Sequence, residues 1–168
     1  MEKIVVYGIG KFFCENCEYI HEKYNVVGYV DKLQKMDNND VSENIDDVVN
    51  EYDKILIMAL NINVCFEIIT CLMNKGIGPD KILLGFALWG KYSSFSNAYV
   101  TDEGKICLVR ENIRVMISTE DEFNNVVEVL LLECYKYHLN SNKKEVVFDV
   151  GMNIGDSTLY FLNQEKVE

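Results

Sequence analysis

Twice in this chain an apolar run of strand length breaks into glycines and passes at once into a helical pattern, at KIVVYGIGKFF (residues 3–13) and at VVFDVGMNIGDSTLYF (146–161). A strand apolar on both faces, followed by a glycine turn and then a helix, opens a parallel α/β sheet, because such strands need helices covering both sides. The first opening is continued by a regular alternation. Residues Phe12 to Tyr24 read as a helix, Val26 to Val30 as a strand closed by Asp31, and Lys54 to Leu60 as a fully covered strand. Asn63 is the expected cap of a following helix whose apolar positions Val64, Ile68, Ile69, Leu72 and Met73 recur at helical spacing, and Lys81 to Phe86 reads as one more strand. Ile45 to Tyr52 is expected as a short helix or strand edge. The spacing thus predicts about four parallel strands, a small Rossmann-like unit with flanking helices, over residues 1–86.

Beyond Trp89 the rhythm changes. YSSFSNAYVTDEGKICLVREN is rich in Ser, Asn and Tyr, with Asp102-Glu103-Gly104 as a turn between two β-like runs, so residues 87–144 are expected to hold a linker, a β-hairpin and a helix. Thr119 and Glu122 have capping-box spacing, which predicts a mostly buried helix to about Tyr137. After the polar break NSNKK, Glu145 to Val150 is expected as a strand entering GMNIG, and Asp156, Ser157 or Thr158 as the cap of a helix through Leu162. Residues 145–168 therefore read as the first strand and helix of a second α/β domain.

Composition narrows the partners. The chain has 27 acidic and 16 basic residues among its 168, a formal charge of −11, and such a surface repels phosphate backbones. Nucleic acid and anionic membranes are not expected partners. No apolar run approaches the roughly 18 residues of a membrane span, and MEKIVVYGIG has no features of an export signal, so a cytoplasmic location is expected. The six cysteines then read as reduced thiols. Cys14 and Cys17 form a C-x-x-C pair, but no second pair completes a zinc site, and both fall within helical spacing. With His21 and His138 as the only histidines, neither a metal site nor a histidine-based catalytic arrangement is expected.

The chemistry concentrates in FDVGMNIGDS. Glycines after a strand allow close approach of backbone to ligand, and a following helix offers amide groups at its start. This stretch resembles, nearly position for position over about Val146 to Phe161, the first motif of the FkbM family of S-adenosylmethionine-dependent methyltransferases, whose phrase is close to D-V-G-A-N-I-G-D-x-[ST]-L-Y-F. The resemblance implies that Asp149, Gly151, Asn153, Gly155 and Asp156 form the cofactor-binding set, at the amino-acid end of S-adenosylmethionine. Met152 replaces the family's usual small residue. It also implies O-methylation of a hydroxyl, on a sugar or glycan. A full cofactor domain has roughly 100 to 150 residues, whereas about two dozen follow Lys144, so the chain is expected to be inactive alone.

Gly8-Ile9-Gly10 is a shorter signal. A dinucleotide fingerprint has a third glycine where this chain has Phe13, yet Asp31 ends the second strand where an acid can accept from ribose hydroxyls. VVYGIGKFF followed by VVGYVDK is also similar to the small N-terminal domain found before bacterial sugar-modifying transferases and sugar-nucleotide enzymes. That similarity implies a nucleotide or nucleotide-sugar site at Gly8, Gly10 and Asp31, and a place in polysaccharide biosynthesis. The alternative to methyl transfer is thus a nucleotide-sugar-binding or dimerisation module, with a homodimer as one expected assembly.

Overall fold

The computed structural model describes residues 1–34, 36, 40–88, 92–135, 146–151 and 153–164. Its first layer is a five-stranded parallel sheet in the order β3-β2-β1-β4-β5, built from β1 (Lys3–Tyr7), β2 (Asn25–Val30), β3 (Val41–Ser42), β4 (Lys54–Ile57) and β5 (Ile82–Leu84). Strand β1 lies at the centre, paired with both β2 and β4. Its alternating side chains explain why it is apolar throughout. Ile4 and Val6 pack with Phe12, Phe13 and Ile20 of helix α1 (Lys11–Lys23) on one face. Val5 and Tyr7 pack with Cys65, Ile69 and Leu72 of helix α2 (Ile62–Asn74) on the other.

A second layer is a three-stranded antiparallel sheet, β6 (Asn97–Val100), β7 (Ile106–Arg110) and β8 (Ile113–Ile117), in that order. Two runs were legible here as a hairpin; β8 is the third. It alternates Ile113, Val115 and Ile117 inward with Arg114 and Met116 outward, the pattern of a sheet covered on one face. Its two-residue turn places Glu111 at φ 53. Helix α3 (Gly85–Leu88) follows β5, and α4 (Glu120–Val126) follows β8. Phe86, Tyr92 and Phe123 join these parts through edge-on ring contacts with centroids 4.9–6.1 Å apart. One buried cluster accordingly contains Val5 and Ile55 of the first sheet together with Ile106 and Val115 of the second. The change of rhythm after residue 86 marks a change of sheet, with a core that continues across it.

Several local expectations are corrected. The cap of α2 is Asn61, not Asn63: Asn61 Oδ1 accepts from the amides of Asn63 (2.9 Å) and Val64 (3.3 Å). The helix therefore starts with Ile62, which is buried. Strand β4 stops at Ile57, and β5 at Leu84, where the chain turns directly into α3. Thr119 caps α4 by accepting from the Glu122 amide, while Glu122 reaches back to the Ser118 amide, one residue before the reciprocal position of a capping box. The long helix expected to about Tyr137 is α-helical only to Val126. Val127–Leu131 form a π-helical turn that buries both Val129 and Leu130, and Glu133 then takes a left-handed conformation, φ 48. Tyr137 lies outside the described residues.

Helix α5 (Asp156–Leu162) forms as read, with Gly155 at its N-cap position. The strand expected before it does not form a ladder: residues 146–149 pair with no strand, and Val146, Phe148 and Val150 are exposed, Phe148 by 87%. A strand apolar on both faces is stabilised only by neighbours, and neither sheet offers it one. Glu145 lies outside the described residues. No helix among the described residues is long and apolar enough to cross a membrane.

Candidate functional site

The two glycine turns hold two separate groups of side chains, and among the described residues no hydrogen bond joins them. At the carboxyl ends of β1 and β2, Gly8 adopts φ 95, and a Cβ there would stand 3.2 Å from the Met58 carbonyl oxygen. Only glycine meets both constraints. The Gly8 amide donates to the Val30 carbonyl (2.8 Å). The next amide, of Ile9, donates to Asp31 Oδ2 (2.9 Å), and Asp31 Oδ1 accepts from the amides of Leu33 (2.8 Å) and Gln34 (2.9 Å). Partial burial alone would raise the Asp31 carboxyl; these three amides outweigh it and hold it below the ordinary carboxylate range. Gly10, at the N-cap of α1, has no side-chain cap and open space where a Cβ would stand. Gly8, Gly10 and Asp31 are thus brought to one end of the sheet, with Asp31 also serving as the clasp of the turn.

The second group is the loop from Asp149 to Asp156. Gly151, Asn153 and Gly155 all have left-handed backbones, φ 84, 49 and 85. These residue types tolerate that region best, which is the local reason for their spacing. Above Gly151 and Gly155 no atom of the described residues, the chain neighbours apart, lies within 4 Å of a notional Cβ. Asp149 Oδ2 accepts from the hydroxyls of Thr158 (2.5 Å) and Ser157 (2.8 Å), fastening the end of the extended segment to the start of α5. Those two hydroxyls, Thr158 foremost, lower the Asp149 carboxyl. Asp156 is 4% exposed, and its Oδ2 has no hydrogen-bond partner among the described residues.

Sequence reasoning missed the residues that face this loop from the preceding segment. Tyr135 packs its ring against Tyr160 (6.1 Å) and Phe161 (5.1 Å) of α5. Burial and the negative charges around it, from Cys134, Asp149, Asp156 and Glu128, push its phenol up. The Cys134 thiol is likewise raised, by burial first and then by Glu128. The only signal for these residues was the apolar stripe that named Cys134 as core; the π turn that re-aims them has no sequence signature. Nearby, Arg110 of β7 pairs with Glu133 (3.1 Å), holding the segment after the π turn to the hairpin, and Asn163 Nδ2 at the end of α5 donates to Glu111 (3.4 Å) in the β7–β8 turn.

Cys14 and Cys17 lie on α1. Cys14 Sγ is 3.8 Å from the Ile9 carbonyl it donates to, and burial followed by Cys14 raises the Cys17 thiol. His21 is hydrogen-bonded to the Tyr29 hydroxyl (3.0 Å), and His138 lies outside the described residues. Among the described residues no three acidic, histidine or cysteine side chains are placed to hold a metal ion. No protein-family model matches the chain, and no curated protein sequence matches it significantly.

Proposed function

We propose that the loop Asp149–Asp156 holds the amino-acid end of S-adenosylmethionine and that the chain belongs to a methyltransferase acting on a hydroxyl of a sugar or glycan. The observation that carries this reading is the alternation of left-handed residues at Gly151, Asn153 and Gly155 with open space over both glycines. When bound, the cofactor supplies an electrophilic methyl group on its sulfonium. This chain's residues contribute binding and orientation: the two glycines admit the ligand to the backbone, and Asp149, held by Ser157 and Thr158, fixes the loop against α5. In this reading the exposed Val146, Phe148 and Val150 belong to an extended segment that pairing with another strand would cover.

Titration of the ¹⁵N-labelled chain with S-adenosylmethionine at millimolar concentration tests the reading. Shifts should centre on the amides of Gly151, Gly155 and Asp156, and Gly155→Val should remove them by straining a φ of 85. Absence of shifts in this loop would sink it.

A second reading has its own observation. Asp31 uses three of about four acceptor positions of a carboxylate on the chain's own amides, leaving one for a ligand hydroxyl beside the open Gly10. We propose on that ground that the first sheet takes the ribose of a nucleotide or nucleotide-sugar. Nucleotide-sugar titration should move the Ile9, Gly10 and Asp31 amides; an unchanged spectrum rejects it.

A further inference from the structure

Strand β2 is covered unevenly on its outer side. β3 pairs only with Tyr29 and Val30, so no strand among the described residues lies beside Asn25–Gly28. Within that open stretch the pairing of β2 with β1 slips: Ile4 stands opposite Val26 and Val5 opposite Gly28, which leaves Val27 as an extra residue. Such a bulge is uncommon between parallel strands and serves to re-aim groups or to end pairing. The Val27 carbonyl accepts from Asn50 Nδ2 (2.8 Å), which ties the segment before β4 across the edge. Gly28 makes room for it, since a Cβ there would stand 3.0 Å from Val48 Cγ1. The result is an open cleft of about 590 Å³ between the last turn of α1, the edge of β2 and residues 40–42 and 47–50, within the size range of small-molecule sites.

The walls of this cleft mix donors and acceptors. On one side the Tyr29 hydroxyl and His21 Nε2 are bonded to each other (3.0 Å). On the other, no hydrogen bond among the described residues engages the side chains of Asp40 and Ser42. Asp47 uses one carboxylate oxygen on the Asn44 amide (3.3 Å), and Asn50, held through its Nδ2, keeps its Oδ1 as an acceptor. No lysine or arginine lines the cleft. Two carboxylates without a basic neighbour repel a phosphate or carboxylate group. A simple ammonium would satisfy the carboxylates and leave the hydroxyl donors unused. Ring hydroxyls do both: they donate to carboxylate and amide oxygens and accept from Ser42 or Tyr29, while Val48 offers apolar surface to ring carbons. We infer that this cleft binds a sugar unit that carries no phosphate or carboxylate. The inference rests on neither reading above, because none of Gly8, Gly10, Asp31 and the Asp149–Asp156 loop lines the cleft.

Titration of the ¹⁵N-labelled chain with glucose, galactose and mannose, each compared with its own 6-phosphate, tests this by NMR. At least one hexose should shift the amides of Gly28, Ser42 and Asn50 saturably, with a dissociation constant on the order of 1–10 mM. Its 6-phosphate should bind about tenfold more weakly, the size expected for a partly screened like charge at close range. Asp40 is exposed and Ser42 half-buried, so Asp40→Asn and Ser42→Ala should leave the melting temperature of the free chain unchanged. Each should weaken the hexose about fivefold, as the loss of one hydrogen bond does. Saturation by none of the three hexoses would overturn the inference. So would a 6-phosphate that binds as tightly as its hexose, or binding that neither substitution alters.

Discussion

Asp31 illustrates how one carboxylate can be read from sequence for one purpose and be used by the fold for another. Its position after β2 pointed to a ribose; the structure has it accept from Ile9, Leu33 and Gln34. Because these donors depress its folded-state pKa, its contribution to stability is present above the ordinary aspartate value of about 3.9 and is lost as pH falls through the depressed one. Asp31→Asn should therefore lower the melting temperature at pH 7, and the gap from the parent chain should close towards pH 3. A gap independent of pH would show that charge is not what the amides use. The same comparison bears on Asp149, which no adjacent donor in the sequence announced: its partners Ser157 and Thr158 were read as caps for α5, and they spend their hydroxyls on the preceding segment instead.

At the scale of elements, periodicity located helices and strands, and hydrogen-bond geometry set their ends. Helix α2 is the clearest case, since Asn61 and Asn63 are both plausible caps by composition. Only Asn61 has the extended backbone, φ −75 and ψ 120, that directs its side-chain Oδ1 at the amides of Asn63 and Val64. Asn61→Ala should cost about 1 kcal/mol in chemical denaturation, whereas Asn63→Ala, which removes one exposed hydrogen bond to Glu120, should fall within about 0.5 kcal/mol of the parent. Equal losses would contradict the assigned cap. The segment from Glu120 to Leu131 was read as one regular helix because its apolar stripe is unbroken. The switch to a π turn at Val127 answers to packing, since Val129 and Leu130 are both buried there.

At the scale of the molecule, the two sheets are held by one core. Phe123, 3% exposed, stacks edge-on against Phe86 at the end of the first sheet and Tyr92 before the second. Phe123→Ala should destabilise by about 3–5 kcal/mol, with amides of β1 and β7 losing hydrogen-exchange protection together. Loss confined to β6–β8 would mean that the sheets unfold as independent units. The change of rhythm after residue 86 marks where one sheet gives way to the next, but it does not show that the core continues across it, because the ring contacts join residues far apart in the chain.

The sequence by itself determined the kinds of element and their order. A doubly apolar strand, a glycine turn and an amphipathic helix are local patterns dictated by side-chain period and by which residues tolerate a positive φ, as at Gly8, Gly151 and Gly155. It also named the residues of both candidate sites. What only the tertiary structure decided was their company. Asp31 was placed on the Ile9 amide, a third strand was added beside the hairpin, and the Tyr135 ring was packed against Tyr160 and Phe161 of α5. Asp156 was buried with its Oδ2 unpartnered among the described residues, while Val146, Phe148 and Val150 were left exposed. Each of these depends on contacts between distant parts of the chain, whose energies come from packing and from paired or unpaired charge and have no local signature.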